Sequence, residues 1–386
     1  MNIALVDRIR SETWYTMLLS TAIQRQVGSG SKVIIYCPKS SVESPIAGEV
    51  PRLPVWSELA HPVQIATRSI RDRVDLVHLQ FEFETFGKWF TSYLVVVLIA
   101  LLRISRRKVV TTIHGPFYQL EEPGGWTAER GLNSRLLRAG FDGYIALMYR
   151  LLGLASCKVI VHARVFERRL RSIGVRNCVV IHHGLESRQS GSRGAVARDQ
   201  RPVILFFGVI SPRKGIEILL EAYSNIRPKH PKSTLSIAGG ESPLYPQYSK
   251  SLEQMARRIE ISDSVKFMGW VPDSYLEDVF LNSTLLVMPY RSSVSASGPL
   301  SLASKYGLPV IVSKTAYFAE VLSPELNEAM FDAGDPSSLA KALDRVLSDA
   351  GLRRRIEDAL DEKSKMYSWE SSARQTVRLY SSLEEC

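Results

Sequence analysis

Short apolar runs alternate with helical patterns along the first half of the chain. The runs have the length of strands and lie at residues 3–6, 33–36, 76–79, 109–113, 159–161 and 179–181. Segments with helical periodicity lie between several of them, for example residues 13–26 and 132–154. Because strands that alternate with helices form parallel sheets covered on both faces, the pattern predicts a doubly wound α/β domain over residues 1–187.

The same alternation restarts after a break in composition. Residues 186–200 read ESRQSGSRGAVARDQ and carry no apolar periodicity, which is typical of a linker. Strand-like runs then recur at 203–207, 235–238, 265–268, 285–288 and 310–312, with helical patterns at 216–223, 248–259 and 336–385. We therefore place a linker at 188–200 and a second doubly wound domain at 201–368. Ligands of open α/β sheets bind beyond the carboxyl ends of the strands, so we expect a site in the cleft between the domains.

The composition is that of a soluble globular protein, and its charge is uneven. Of the 386 residues, 45% are hydrophobic and 23% charged, which excludes disordered, fibrous and disulfide-scaffold classes. The net charge is +10, and residues 1–200 hold 27 Lys and Arg against 16 Asp and Glu, whereas residues 201–386 hold 22 against 23. A basic excess confined to one half suits either a nucleic-acid partner or an anionic membrane surface.

One apolar segment bears on the membrane question. Residues 93–102 read YLVVVLIALL and are followed by Arg103, Arg106, Arg107 and Lys108. Ten residues are too few to cross a bilayer, which takes roughly 18 or more. Two interpretations stay open: a buried helix that leads into the next strand, or a helix in the plane of the membrane whose basic end meets lipid phosphates.

The cysteines and the N-terminus predict a cytoplasmic location. The basic first half is also compatible with a peripheral position on the inner face of the cell membrane. None of the four cysteines stands in a C-x-x-C pair, so we expect reduced thiols and no zinc site. The N-terminal sequence MNIALVD resembles a first strand more than a signal peptide, since it lacks a basic segment followed by a long apolar one.

Two common phosphate-binding motifs are missing from the sequence. No G-x-G-x-x-G follows a strand, and no G-x-x-x-x-G-K-[ST] is present, which disfavours a dehydrogenase and a P-loop NTPase.

Three turns that follow strands of the second half are better candidates. In the first, Arg213 and Lys214 precede a helix, and a cation beside free backbone N–H groups suits a diphosphate. The second is Gly-Gly-Glu, where a ligand can approach the backbone closely. The third is a run of small residues before a helix, which leaves amides free for phosphate oxygens. The candidate binding residues are Gly208, Arg213, Lys214, Gly239, Gly240, Glu241, Ser297, Gly298, Pro299 and Leu300.

Two strand ends stand out in the first half. The strand at 76–79 runs into Gln80 and Glu82, which we expect at the first domain's side of the cleft. The strand at 109–113 ends in His114, at the lip of the cleft before Gly-Pro, where it serves either catalysis or packing. His78 lies within its strand and is expected to be a core residue. The adjacent His182 and His183 point to opposite faces, so a metal pair is not expected.

These residues taken together resemble glycosyltransferase family 4, also called glycosyl transferases group 1, whose members have the GT-B fold. The matching stretches of the second half are FFGVISPRKGIEILLEAY, LSIAGGESP, DSVKFMGWVPD, LLVMPY and GPLSLASKYGLPVIVS. The first half is similar in DLVHLQFE, VVTTIHG, VIVHARVFERRL and VVIHHGLE, and the terminal YSWESSARQTVRLY resembles the closing helix of the family.

The resemblance implies a fold, a reaction and roles for single residues. It implies two Rossmann-like domains that face each other across a cleft, with residues 369–386 as a helix that crosses back to the first domain. It implies sugar transfer from a UDP- or GDP-type nucleotide-diphosphate sugar to an acceptor hydroxyl, with retention and without a metal. Lys214 would then neutralise the diphosphate with help from Arg213, the amides of residues 297–300 would cap it, and His114 would contact the donor sugar. Gln80 and Glu82 would lie on the acceptor side of the cleft.

The sequence departs from the family pattern at three places. The two glutamates that the family commonly spaces as E-x7-E are replaced by Val294 and Leu302. An arginine that often follows the first glycine of the second domain is replaced by Val209, and no glycine-rich turn follows the first strand.

Three functions follow as alternatives. The first is an active glycosyltransferase that builds a surface polysaccharide or a lipid-linked glycan at the membrane face, with a glycan or lipid-linked acceptor. The second is a catalytically weakened GT-B protein that acts as a binding or scaffold partner, and the third is a sugar-nucleotide epimerase. A nucleic-acid partner is not expected, because the basic residues are not interleaved with aromatic ones.

Overall fold

The protein is described from a computed structural model. The described residues are 1–8, 15–28, 30–41, 50–82, 85–87, 91–116, 135–188, 201–243, 245–292 and 295–383.

The first sheet has seven parallel strands and belongs to the first half of the chain. In spatial order β3-β2-β1-β4-β5-β6-β7, it is doubly wound from β1. Its strands are β1 Asn2–Val6, β2 Lys32–Pro38, β3 Arg52–Trp56, β4 Leu76–Phe81, β5 Lys108–Ile113, β6 Lys158–Val161 and β7 Cys178–Val180.

The second sheet has six parallel strands in the order β10-β9-β8-β11-β12-β13. Its strands are β8 Val203–Phe207, β9 Thr234–Ala238, β10 Val265–Gly269, β11 Leu285–Met288, β12 Val310–Ser313 and β13 Met330–Phe331. β11 and β12 are buried along their length and β8 at its three middle residues, as expected of a parallel sheet covered by helices on both faces.

The helices cover both faces of the sheets. Those before the second sheet are α1 Tyr15–Gln26, α2 His61–Arg71, α3 Leu94–Ile104, α4 Arg135–Ala155 and α5 Arg164–Ser172. Those that follow are α6 Ile216–Ile226, α7 Tyr248–Arg258, α8 Leu276–Leu281, α9 Gly298–Lys305, α10 Ala316–Leu322, α11 Pro336–Ser348, α12 Ala350–Met366 and α13 Trp369–Ser381. Short 3-10 helices lie at Lys39–Ser41, Pro212–Lys214, Asp273–Tyr275 and Asn327–Ala329.

The structure adds two strands that the apolar pattern did not predict. β3 lies at the edge of the first sheet beside β2 and is buried only at its last two residues. Its sequence RLPVW, with the exposed Pro54, therefore contains no strand-length apolar run. β13 has two residues and is recognisable only by its pairing with β12.

The helical periodicity of residues 336–385 resolves into three helices. Asp349 caps α12 by accepting a 2.9 Å hydrogen bond from the backbone N–H of Leu352. Ser368 caps α13 in the same way, with 3.2 Å between its Oγ and the amide nitrogen of Ser371. Each cap satisfies an N–H group that a new helix would leave free, which is why the chain stops and restarts there.

Helix α13 returns from the second half of the chain to pack on α1. Its Trp369, Ala373 and Tyr380 share a buried cluster with Leu19 of α1. A polar contact reinforces the packing, since the Tyr380 hydroxyl lies 2.6 Å from Nδ1 of His78 within β4. His78 is fully buried, as expected of a core residue.

The apolar run after residue 92 forms α3, and one side of it is buried. Val95, Leu98, Ile99 and Leu102 pack inward, towards helices α2 and α4. Among the described residues, no helix is long and apolar enough to cross a membrane.

The cysteines follow the expectation only in part. Cys37 and Cys178 are free and buried, and burial raises the pKa of Cys178 to about 11. Cys157 is disulfide-bonded, which is contrary to the expectation of reduced thiols.

Candidate active site

The carboxyl edges of the two sheets meet through contacts between the halves of the chain. Beyond β6, Phe166 of α5 stacks on Tyr317 of α10, which follows β12, with 5.5 Å between ring centroids and 7° between planes. The backbone N–H of Glu186 donates to Oγ of Ser301 in α9 at 3.1 Å. Residues that follow β6 and β7 therefore contact residues that follow β11 and β12, at the carboxyl edges of the two sheets.

The turn after β8 is held in place by a glycine. Gly215 has a φ of +64°, and a Cβ there would lie 2.1 Å from the carbonyl oxygen of Pro289. Only glycine therefore lets the turn 212–215 press against the chain that follows β11. The backbone N–H of Arg291 completes this contact by donating to the carbonyl of Arg213 at 3.0 Å.

This close packing places Lys214 over an aromatic ring. Its Nζ lies 3.6 Å from the ring centroid of Tyr290, which is a short cation–π contact. Burial, and then the positive charge of Arg213, lower the pKa of Lys214 well below its ordinary value. In the part of the chain that the structure describes, Lys214 forms no ion pair with a carboxylate. Since burial disfavours the charged form of Lys214, an anion beside its Nζ would stabilise that form.

Arg213 and Ser297 also lie near Tyr290 and influence the pKa of its hydroxyl. Burial raises the pKa of Tyr290 to about 12, and the nearby Ser297 side chain and the charge of Arg213 oppose that rise. Both residues must therefore lie near the hydroxyl. The Ser297 hydroxyl itself donates to Sδ of Met288 at 3.4 Å, and the buried Tyr290 hydroxyl has no hydrogen-bond partner among the described residues. The two predicted cations and the start of α9 are brought together around Tyr290, a residue that the sequence analysis had not selected.

The start of α9 is open towards the end of β8. Ser297 has extended backbone and its side chain does not cap the helix, and a Cβ at Gly298 would meet no atom within 4 Å. A Cβ at Gly208 would lie 3.8 Å from Cγ of Pro299, so these two turns are neighbours. Free N–H groups and the positive end of the helix dipole favour an anion at such a place. Leu300 is buried, so that only its backbone amide can serve a ligand.

A groove floored by glycines leads from there along the sheet edge. Gly208 and Gly239 have φ values of +139° and +152°, and a Cβ on Gly239 would lie 1.8 Å from the carbonyl oxygen of Gly208. At Gly240, a Cβ would lie 3.6 Å from the indole of Trp270, which follows β10 and is 71% exposed. Neighbouring strands are about 4.8 Å apart, so Trp270 lies two strands, or roughly 10 Å, from the end of β8.

Glu241 lies at the rim of this groove and is exposed. Its Oε1 accepts a long hydrogen bond of 3.4 Å from the backbone N–H of Ser249, in the first turn of α7. A more tightly held carboxylate is Glu217 in α6, which the sequence analysis missed. It accepts a 2.7 Å hydrogen bond from Nε of Arg291 and another from the hydroxyl of Tyr248.

On the first domain, two of the three predicted residues come together. Nε2 of His114 lies 2.9 Å from Oε1 of Gln80, and Nδ1 of His114 lies 3.2 Å from Nε2 of His162. Burial, and then the neighbouring His162, lower the pKa of His114 well below its ordinary value, so the ring is neutral. The ring of Tyr15 packs edge-on to His114, with 4.5 Å between centroids.

Glu82 has no such contact with His114. It is exposed, and its backbone forms a turn in which the N–H of Thr85 donates to its carbonyl at 3.1 Å. Within the described residues there is no group of three or more His, Cys, Asp or Glu side chains that could hold a metal ion.

Of the positions that depart from the family pattern, Leu302 is buried with 6% of its surface exposed. Val209 is 54% exposed. Val294 lies outside the described residues.

Comparison with known proteins identifies the family of the second half. Residues 188–362 match the family described as Glycosyl transferases group 1. An uncharacterised glycosyltransferase of Methanocaldococcus jannaschii is 26% identical over 325 residues, which cover 80% of this chain and 75% of that protein. A D-inositol 3-phosphate glycosyltransferase of Corynebacterium urealyticum is 29% identical over 184 residues, but that match covers 47% of this chain and only 43% of the relative.

Solved structures resemble the whole chain. Sucrose-phosphate synthase from Thermosynechococcus elongatus superposes with a TM-score of 0.76 at 19% identity, covering 99% of both chains. HepE from Anabaena, in complex with UDP, gives a TM-score of 0.73 at 18% identity, covering 99% of this chain and 100% of that one. The predicted GT-B fold is thus confirmed.

Proposed function

Because residues 188–362 match the glycosyl transferases group 1 family, we propose that the chain transfers a sugar from a UDP- or GDP-type nucleotide-diphosphate sugar to an acceptor hydroxyl. The observation that carries the proposal is Lys214, which forms no ion pair among the described residues, near the open start of α9. A cation and free amides at one place suit a diphosphate, and HepE is a structural neighbour that binds UDP.

The chemistry follows from the charge that develops in transfer. As the bond between sugar and phosphate breaks, the leaving nucleoside diphosphate gains negative charge. Arg213, Lys214 and the N–H groups at Gly298 and Leu300 are fixed before the reaction and stabilise that charge. We propose that the reaction retains configuration and needs no metal ion, as the family resemblance implies.

The nucleotide is proposed to lie along the groove formed by Gly208, Gly239 and Gly240. A diphosphate near the end of β8 would then direct the base towards Trp270, which lies two strands away along the sheet edge. An exposed indole next to a glycine offers a flat apolar surface on which a base can stack.

The acceptor is proposed to be a glycan or a lipid-linked glycan in the synthesis of a surface polysaccharide or glycolipid. Three neighbouring helices of the first domain expose an apolar ridge, defined here as Val63, Ile70, Val97, Ile104, Leu147, Leu151 and Leu154. Leu147, Leu151 and Leu154 are spaced so that they share one face of α4. Arg103 and Arg106 at the end of α3 are exposed beside the ridge, and together they suit the inner, anionic face of the cell membrane.

Leu302 favours a second candidate, a GT-B protein that binds a nucleotide sugar but transfers it weakly. It is a buried apolar residue where the family commonly places a glutamate. A leucine cannot accept a hydrogen bond from a ribose hydroxyl.

One experiment separates the two candidates. The purified chain is heated with UDP, GDP, ADP and their common sugars, and the best ligand is then tested for transfer and for hydrolysis. A ligand at a hundredfold excess over its Kd raises stability by about 2.7 kcal/mol. Binding with turnover supports the transferase, binding without turnover supports the scaffold, and no binding by any nucleotide contradicts both.

A further inference from the structure

A row of polar groups crosses four adjacent strands of the first sheet at its carboxyl edge. Gln80 belongs to β4, His114 follows β5, His162 follows β6 and Ile181 follows β7. The spacings are 2.9 Å from Gln80 Oε1 to His114 Nε2, 3.2 Å from His114 Nδ1 to His162 Nε2, and 3.0 Å from His162 Nδ1 to the carbonyl oxygen of Ile181.

The backbone carbonyl at the end of the row sets the direction of every hydrogen bond in it. A carbonyl can only accept, so Nδ1 of His162 carries the proton and donates to Ile181. His162 is fully buried, and burial lowers its pKa to about 3, so the ring is neutral and its Nε2 has no proton. Nε2 of His162 must then accept from Nδ1–H of His114.

The same argument continues to the cleft side of His114. The ring of His114 is neutral, so with Nδ1 protonated its Nε2 is an acceptor. Gln80 must therefore turn an N–H towards it, which requires the side-chain amide in the orientation opposite to the assigned one. Turning the amide breaks no hydrogen bond of Nε2 of Gln80, since in the assigned orientation that buried group has no partner among the described residues.

We propose that His162 is a positioning residue that holds His114 as the Nδ1–H tautomer, so that His114 offers an unprotonated Nε2 at the edge of the cleft. Without a ligand, the Gln80 amide occupies that acceptor. With the donor bound, a sugar hydroxyl can donate to it. The last step rests on the proposed function, whereas the tautomer does not.

The tautomer is tested directly by NMR of the full-length protein labelled with 15N-histidine. The chain has 7 histidines, and a His114→Gln variant assigns the signal of interest. We expect a protonated Nδ1 and a bare Nε2 for His114 in the unliganded protein. A protonated Nε2 would overturn the proposal, whether or not the protein transfers sugar.

Two variants test whether His162 is the cause. His162→Gln keeps an acceptor that can reach Nδ1–H of His114, and His162→Phe removes it. We expect the tautomer of His114 to persist in the first variant and to become mixed in the second. Because the buried phenyl ring could prevent folding, the wild-type spectrum and the His162→Gln variant are sufficient for a decision. Loss of the tautomer in His162→Gln, or its persistence in folded His162→Phe, would contradict the assignment to His162.

Kinetics then separate positioning from structure. His162→Phe removes one oriented hydrogen bond, and we expect it to lower kcat for transfer about tenfold. The Kd of the nucleoside diphosphate should stay unchanged, because its proposed site lies on the other domain. His162→Gln keeps an acceptor for Nδ1–H of His114 and should retain most of the wild-type kcat. His61→Gln is the matched control, since His61 is also buried but lies on α2, where its Nδ1 is 2.7 Å from the carbonyl of Glu58. An equal loss of rate in this control would show a general packing effect and overturn the kinetic part of the proposal.

Discussion

The carboxylate of Glu320 in the second domain accepts a 2.8 Å hydrogen bond from the backbone N–H of Val165 in the first. Its other oxygen accepts from the N–H of Arg164. Both amides belong to the first turn of α5, whose N-cap residue, Ala163, has no side chain that could cap them. One domain therefore caps a helix of the other, at the point where the two carboxyl edges meet.

Replacement of this cap should destabilise the contact between the domains. We expect Glu320→Ala to lower the free energy of unfolding by about 1 kcal/mol, because two N–H groups of α5 lose their acceptor. Glu320→Gln keeps one acceptor and should lose less. Thermal or denaturant unfolding gives the measurement, with Glu253→Ala as the control, since Glu253 forms only an exposed pair with Arg257. Equal stability of Glu320→Ala and wild type would show that water replaces the cap without cost.

Lys214→Ala should reduce transfer by about a hundredfold. Loss of a fixed cation at developing charge costs on the order of 3 kcal/mol. The fold should tolerate the change, because Lys214 contributes a ring contact and no ion pair among the described residues. Lys229→Ala is the control, since that lysine pairs with Asp344 on the surface. Near-normal turnover by Lys214→Ala would remove Lys214 from the site.

Trp270→Ala should weaken binding of nucleoside diphosphates, and Trp270→Phe should weaken it less. Stacking of a base on an aromatic ring is worth roughly 1–3 kcal/mol by alanine substitution. Calorimetric titration measures the loss, and inorganic diphosphate, which has no base, should bind wild type and variant equally. Met366→Ala replaces another exposed apolar residue and serves as the control. An unchanged Kd for the nucleotide would place the base elsewhere.

Buried histidines should make the protein less stable below neutral pH. Burial lowers the pKa of His78 and His162 to about 3 and that of His183 to about 4. Between those values and about 6.5 the unfolded chain binds protons that the folded protein excludes, so stability is fully present above about pH 6.5 and falls as the pH falls. Each such group contributes at most about 1.4 kcal/mol per pH unit.

Denaturant midpoints between pH 7 and 5 measure this slope. His183→Asn can still donate to the carbonyl of Gly184, which lies 2.7 Å from Nδ1 of His183, but it removes one titrating group. Its stability should therefore depend less steeply on pH. A slope as steep as that of the wild type would show that His183 takes up its proton without unfolding.

The apolar ridge should bind anionic vesicles in preference to neutral ones. Leu147, Leu151 and Leu154 changed together to Gln should abolish sedimentation with vesicles, and Arg103 and Arg106 changed together to Gln should weaken it in a salt-dependent way. Each basic residue near an anionic surface is worth about 1 kcal/mol, and salt screens it over roughly 8–10 Å. Arg107 is left unchanged because it is half-buried, with a buried Nε that has no hydrogen-bond partner.

The control for the vesicle experiment is a pair of exposed arginines on the other domain, Arg257 and Arg258 of α7. Their change to Gln should leave binding unchanged. Equal sedimentation with neutral and anionic vesicles, or none with either, would contradict the proposal that the apolar ridge docks on an anionic membrane.

The sequence by itself determined that the chain forms two doubly wound sheets, and it indicated where along the chain most of their strands lie. Parallel strands buried on both faces leave continuous apolar runs, and those runs can be read locally. It also predicted a candidate phosphate-binding turn, because Arg213, Lys214 and Gly215 are neighbours in the chain. The short β13 and the proline-bearing β3 escaped it, since pairing and not composition defines them.

Only the tertiary structure decided which distant residues share the cleft. Glu320 and Val165 are 155 residues apart, and His162 lies 48 residues from His114, so no spacing rule connects either pair. Tyr290 and Trp270 look like ordinary core or surface aromatics until the sheet order places one under Lys214 and the other beside Gly240. The local pattern of apolar residues indicates which face of an element is buried. The partners across the cleft depend on how the two sheets are placed against each other.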